Sequence, residues 1–147
     1  MMKIIVVGKL NQKYLAEGIQ YYQKQIPSKV EWVEVADEAD ITGKSLEGER
    51  ILSKIKELDQ VVLLAIEGQM MDSQSFANQI NHMNTYGSGD IVFVIGGSYG
   101  VSDSVKKRAN LLVSFSKMTF PHQLMRLILI EQIYRAWMIM KNHPYHK

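Results

Sequence analysis

The sequence predicts one α/β domain over residues 1–147, with a mainly parallel sheet covered by helices. Three observations predict it. Short β-branched runs alternate with segments whose apolar residues recur at helical spacing. Two of the later runs, Val61–Ile66 (VVLLAI) and Ile91–Ile95 (IVFVI), lack polar alternation, as strands buried on both faces do. The chain has 147 residues, 46% of them hydrophobic and 22% charged, which suits a single core of ordinary size.

Lys3–Val7 (KIIVV) reads as the first strand, ended by Gly8. Tyr14, Leu15, Gly18, Ile19 and Tyr22 share one helical face, so a helix is expected from about Asn11 to Gln25. Val30–Val35 alternates with Glu31 and Glu34 and reads as a strand with one wetter face. Leu46–Leu58 reads as an amphipathic helix with Ile51, Leu52, Ile55 and Leu58 inward. Val61–Ile66 follows as a strand, then a helix over Asp72–Met83 through Phe76, Ile80 and Met83. After Ile91–Ile95, Ser102 is placed to cap a helix using Val105, Ala109 and Leu112. A short fifth strand is expected near Leu112–Phe115.

The last helix is expected from near His122 to about Lys141, with Pro121 in its first turn and Pro144 preventing extension. Its apolar side chains cover almost the whole circumference. Either the helix is central to the domain or a second subunit also buries it, and the small size of the chain favours the second.

The absence of cysteine excludes disulfides and thiolate metal sites, and a cytosolic setting fits. The start, MMKIIVVGK, is too short for a signal-peptide core. No apolar run approaches the roughly 20 residues of a membrane span. Net charge is only +2, less than a generic nucleic-acid coat shows. A locally shaped RNA site is compatible with it, because local charge can outweigh the total.

Three loops after strands carry unusual sequence: Ala65–Gly68, Gly96–Gly100 and Phe115–Phe120. Ligands of parallel α/β folds collect at the carboxyl ends of strands, where all three are expected. In IGGSYGVSD, adjacent glycines allow close backbone approach and leave amides free for a ligand. A tight strand–helix turn explains the same residues without a ligand. The loop is neither GxGxxG nor a Walker A motif, so an ordinary dinucleotide or phosphate-loop site is not supported.

Glu67 is a candidate base, although carboxylates after strands are usually solvated. His82 reads as a surface residue beside Asn81 and Asn84. His122, His143 and His146 lack a metal framework, and no metal is expected. No Ser–His–acid trio can be assigned by sequence, since such trios are recognised by geometry. Arg126 and Arg135 interrupt the most apolar segment, and a buried arginine needs a partner or a ligand. Glu131 and Arg135 form an i,i+4 pair, whereas Arg126 has no acid four residues away and is expected to be freer for phosphate. The tail NHPYHK offers aromatic, imidazole and ammonium groups suited to a base and its phosphate, or it frays.

The blocks VVLLAIEG, FVIGGSYGVSD, LVSFSKMTFPHQLMRLILIEQIYRAW and NHPYHK carry a resemblance. The chain resembles, nearly end to end, the ribosomal RNA large-subunit pseudouridine N3-methyltransferases, a branch of the SPOUT methyltransferases. The resemblance implies a trefoil-knotted fold, a homodimer, S-adenosylmethionine as cofactor, and methylation of N3 of a pseudouridine in 23S-type ribosomal RNA. Carried over by motif, cofactor contacts are implied at Leu64, Gly96, Phe115, Ser116, Lys117, Met118, Thr119 and Phe120. Between EVADEAD and LEGERIL this chain is shorter than the family pattern, which bears on RNA contacts rather than on the cofactor.

The sulfonium of the cofactor is already activated, so positioning is the main demand on the protein. The proton on N3 must also leave. The tail residues Tyr145, His146 and Lys147 are expected to complete the RNA site, with His146 as the base. Arg126 or Arg135 is expected to bind phosphate or stabilise the developing anion. The alternatives are a tRNA methyltransferase and a noncatalytic ribosome-binding dimer.

Overall fold

The computed structural model describes residues 1–147 as a five-stranded sheet with helices on both faces. The strands are β1 (Met2–Val7), β2 (Val30–Val35), β3 (Gln60–Met70), β4 (Ile91–Ile95) and β5 (Leu111–Ser114), in the order β2-β1-β4-β3-β5. Every pairing is parallel, so "mainly parallel" sharpens to entirely parallel. The helices are α1 (Lys13–Gln23), α2 (Lys44–Leu52), α3 (Ser73–Tyr86), α4 (Asp103–Arg108) and α5 (His122–Met140).

The side-chain period of a strand divides the core into two layers. Ile4, Val6, Val62 and Phe93 meet Ile19, Phe76, Ile80, Leu129, Ile130 and Ile133 from α1, α3 and α5. Ile5, Val7, Leu63, Val92 and Val94 meet Ile51, Val101 and Val105 on the other face. Both faces of the central strands are therefore dry, which is why those strands read as unbroken apolar runs. Each such side chain contributes about 1.5–3 kcal/mol by leaving water.

Local hydrogen bonds set the helix limits. Asp72 accepts from the Ser75 amide at 2.8 Å and starts α3, and Ser102 accepts from the Val105 amide at 3.4 Å and starts α4. The helix expected over Leu46–Leu58 stops at Leu52, and Leu58 is exposed. Residues 53–59 turn instead. Asp59 accepts from the Lys56 amide, and Arg108 donates to the carbonyls of Lys56, Glu57 and Asp59. The helix begun by Ser102 ends at Arg108, short of Leu112. Asn110 then exchanges hydrogen bonds with Val61 and leads the chain into β5.

The expected loop Ala65–Gly68 is part of β3. β3 shifts register between Leu64 and Gln69, so that both pair with Val113. Gly68 permits this, because a Cβ there would lie 2.7 Å from the backbone of Leu112 and Val113.

α5 lies between α1 and α3 on one face of the sheet. No residue of α5 is fully exposed within one chain. Arg126, Leu129, Ile130, Ile133, Tyr134, Ala136 and Met138 are buried within one chain and the rest of the helix is half-buried, so a central position accounts for part of its apolar surface.

Candidate active site

The carboxyl ends of β3, β4 and β5 and the start of α5 enclose a cavity of about 730 Å³. That volume suits one small molecule with an aromatic part. Leu64, Gly96, Phe115, Ser116, Met118, Thr119 and Phe120 all line it. Lys117, expected among them, is exposed and lies outside the lining.

The glycine loop leaves β4 through Gly96 and Gly97. A Cβ at Gly96 would stand 2.6 Å from Val101 Cγ1 and 3.1 Å from the Gly100 backbone. Gly100 has φ +81° and its amide donates to the Gly97 carbonyl at 3.0 Å, folding the loop back on itself. The 115–120 loop is held by its own serines. Ser114 Oγ donates to the Ser116 carbonyl at 3.0 Å, and Ser116 Oγ accepts from the Met118 amide at 2.9 Å. Phe115 stands edge-on to Phe76, centroids 5.5 Å apart, which anchors the loop to the core. Apolar walls beside exposed backbone and a Cβ-free edge fit the adenosine half of S-adenosylmethionine.

Charged groups border the cavity. Lys106 Nζ lies 2.9 Å from Glu67 Oε1, and both are lining residues. The hydrogen bond from Lys106 holds Glu67 below the usual carboxylate range, which makes it a weak base. His122, at the first turn of α5, also lines the cavity and is half-buried. Burial pushes its imidazole below the ordinary histidine value, Arg126 adds to this, and Asp37 and Glu47 oppose it. Sequence reasoning set His122 aside for want of metal partners. Its position directly after the 115–120 cavity loop is the available signal.

Arg126 lies elsewhere than expected. It is 2% exposed, donates to the carbonyls of Val7 and Gly8 at 3.1 and 2.9 Å, and pairs with Glu34 at 3.1 Å. Its acid comes from β2, 92 positions away, so the i,i+4 argument could not find it. The phosphate role expected of Arg126 is corrected accordingly. Its guanidinium ties α5 to the ends of β1 and β2.

The chain end is folded back, not frayed. Tyr145 packs edge-on against Tyr134 at 4.7 Å, and the Arg135 guanidinium lies 4.8 Å from its ring centre. Tyr145 donates to Glu131 Oε1 at 3.1 Å, and Arg135 is paired to the same carboxylate. Arg135 NH1 lies 3.1 Å from His146 Nδ1. The structure thus brings Arg135, Tyr145 and His146 together around Glu131, a residue that sequence reasoning treated only as a salt-bridge partner.

This cluster is separate from the cavity of its own chain. Met125 is the last cavity residue on α5, and Arg135 lies ten residues further along, about 15 Å of helix rise. No group of three or more His, Asp or Glu side chains is arranged to hold a metal ion, and no helix is long and apolar enough to cross a membrane.

A family described as "Predicted SPOUT methyltransferase" matches residues 1–146. The chain is 57% identical over 146 residues to "Ribosomal RNA large subunit methyltransferase H" of Acholeplasma laidlawii, covering 99% of both chains. Proteins of the same description from Lactobacillus delbrueckii and Streptococcus agalactiae are 54% and 53% identical over 157 positions, again covering 99% of each. Those longer alignments put at least ten gap positions in this chain, in keeping with its shortened segment after Asp40. A solved structure, a probable methylase family protein from Haemophilus influenzae, superposes with a TM-score of 0.57 at 10% identity, covering 96% of this chain and 66% of that one. That likeness speaks for the fold alone. With the matched model spanning almost every residue and the parallel α/β sheet it requires in place, the chain belongs to the SPOUT methyltransferase family, whose fold carries the trefoil knot.

Proposed function

We propose that this protein transfers the methyl group of S-adenosylmethionine to N3 of a pseudouridine in the large-subunit ribosomal RNA, in the cytoplasm where ribosomes are made. The observation that carries the reading is the meeting of sequence and cavity. The relatives named for large-subunit ribosomal RNA are matched over 99% of the chain, and the motif residues assigned to the cofactor line one cavity, Lys117 apart.

S-adenosylmethionine, when bound, supplies an electrophilic methyl group. Leu64, Phe115, Met118 and Phe120 would hold its adenosine, with Gly96 allowing close backbone approach. The remaining task of the protein is to present N3 in line and manage its proton.

The tail holds the RNA. Arginine can only donate, so its contact makes His146 Nδ1 the acceptor and leaves the proton on Nε2. His146 then offers a donor to a carbonyl or phosphate oxygen, and its earlier assignment as base gives way to a binding role. Arg135 and Lys147 supply positive charge beside it.

The separation of cavity and tail along α5 supports a homodimer in which the tail of one subunit completes the cavity of the other. Tyr14 and Tyr21 share one face of α1 and are 66% and 52% exposed, a surface suited to a partner. The test is methyl transfer by the purified protein to whole ribosomes, isolated subunits and tRNA, read by nucleoside mass spectrometry. N3-methylpseudouridine in the large-subunit RNA supports the proposal. Transfer to tRNA, or no transfer with no cofactor binding by calorimetry, overturns it. Co-expression of a tail-less chain with a cavity-blocked chain tests the shared site. Random two-fold pairing restores about a quarter of wild-type activity if the site is shared, and none if each tail serves its own chain.

A further inference from the structure

The N3 hydrogen of a pseudouridine is an imide proton, bound at neutral pH, so methyl transfer to N3 needs a proton acceptor. The four histidines differ in their freedom to accept one. His146 Nδ1 is engaged by Arg135, and His143 Nδ1 accepts from the Tyr145 amide at 3.2 Å. Each keeps its proton on Nε2 and is a donor outward. His82 packs on Tyr86 along α3, away from the cavity. His122 alone lines the cavity, and neither of its ring nitrogens has a hydrogen-bond partner within the chain.

Its surroundings suit a base. α5 begins at His122, directly after the cofactor loop, so backbone geometry fixes it beside Phe120 and Pro121. Asp37, following β2, and Glu47, on α2, are the carboxylates whose charge reaches it, and Arg126 is the opposing cation. Lys44, Lys106 and Glu67 border the same cavity. Glu47 is 4% exposed, and its Oε2 accepts from the Glu38 amide at 2.7 Å, so it is fixed. Its other oxygen points toward Gly97 of the glycine loop. Burial favours a neutral imidazole before reaction, and the two carboxylates favour the imidazolium once it forms.

Resting on the function proposed above, we infer that His122 is the catalytic base, taking the N3 proton directly from the pseudouridine. The imidazole gains this proton, and the N3 electron pair forms the new bond to the methyl carbon. The electron pair of the broken carbon–sulfur bond stays on sulfur, giving the neutral thioether product. The imidazolium then releases its proton to water. Asp37 and Glu47 act on this step through their charge, which favours the imidazolium.

The experiment pairs His122→Asn and His122→Gln with the wild-type dimer. Single-turnover methyl transfer to ribosomes should fall about 100-fold or more in both variants, while KM for ribosomes and Kd for S-adenosylmethionine stay within about twofold. The wild-type rate should rise with pH through a midpoint below the ordinary histidine value, and the variants should lose that inflection. A readout independent of turnover comes from nitrogen-15 histidine labelling of the wild type bound to S-adenosylhomocysteine. One imidazole should titrate below the ordinary range, and the same signal should be missing from His122→Asn. The inference is overturned by variant rates within about threefold of wild type, by a matching loss of cofactor affinity, or by a wild type in which no imidazole titrates below the ordinary range. The last result applies even where a variant fails to fold. An inactive wild type on ribosomes overturns the parent reading instead.

Discussion

Tyr145 donates its phenolic proton to Glu131 Oε1 at 3.1 Å, fourteen positions back along the chain. Arg135 is paired with that carboxylate and lies over the tyrosine ring. One acid in the middle of α5 therefore fixes both the terminal segment and the arginine that reaches His146. Replacing Glu131 with Ala frees all three groups. Methyl transfer to ribosomes should fall about tenfold to a hundredfold, the scale of a lost charge-assisted hydrogen bond of about 1.5–3 kcal/mol. Calorimetry should find cofactor affinity unchanged.

The same contact gives the tail an alkaline limit. Burial raises the Tyr145 phenol above its ordinary value of 10.0, and Glu131 raises it further. A raised folded-state value means that docking is complete below the unfolded value and is lost as pH rises through the folded one. In an ultraviolet titration, a phenol should ionise above the ordinary tyrosine value. Tyr145→Phe should remove that step.

Arg126 should matter to folding. Replacing it with Met removes the donors to the Val7 and Gly8 carbonyls and leaves Glu34 unpaired. Glu34 is 44% exposed, so water screens its part, and most of the effect comes from the two carbonyls. Urea unfolding should report a loss of about 2–4 kcal/mol.

Gly96→Ala tests the glycine loop as a cofactor wall. The added methyl would meet Val101 Cγ1 at 2.6 Å, and Val101 is only 6% exposed, so the loop must move. Cofactor Kd should rise about tenfold or more, with a stability loss of about 1–3 kcal/mol. An unchanged Kd would place the cofactor elsewhere.

Much of this fold was legible because its strands carry unbroken apolar runs and its caps are local. Val61–Leu63 and Ile91–Ile95 are buried on both faces, although Ile66, at the end of the first run, is exposed, and Asp72 and Ser102 act within three residues of themselves. The misread stretches depend on distant partners. Ala65–Gly68 stays in β3 because Gly68 presses on the β5 backbone. Leu58 turns outward because Arg108, from α4, gathers the carbonyls before it. The loops that line the cavity were legible as motifs, whereas Lys117 shares the motif and lies outside the lining. Arg126 was misjudged because its acid is remote in sequence. His122 and Glu131 gained their meaning only from what the fold sets beside them.

In the proposed reaction, cofactor cavity and tail are separate parts of one methyl-transfer site. Removing Tyr145–Lys147 tests it most directly, with ribosome methylation and cofactor binding measured on the same preparation. Methylation should fall about 100-fold or more, with a cofactor Kd within about twofold of the full chain. Equal losses in both measurements, or full activity without the tail, would contradict it.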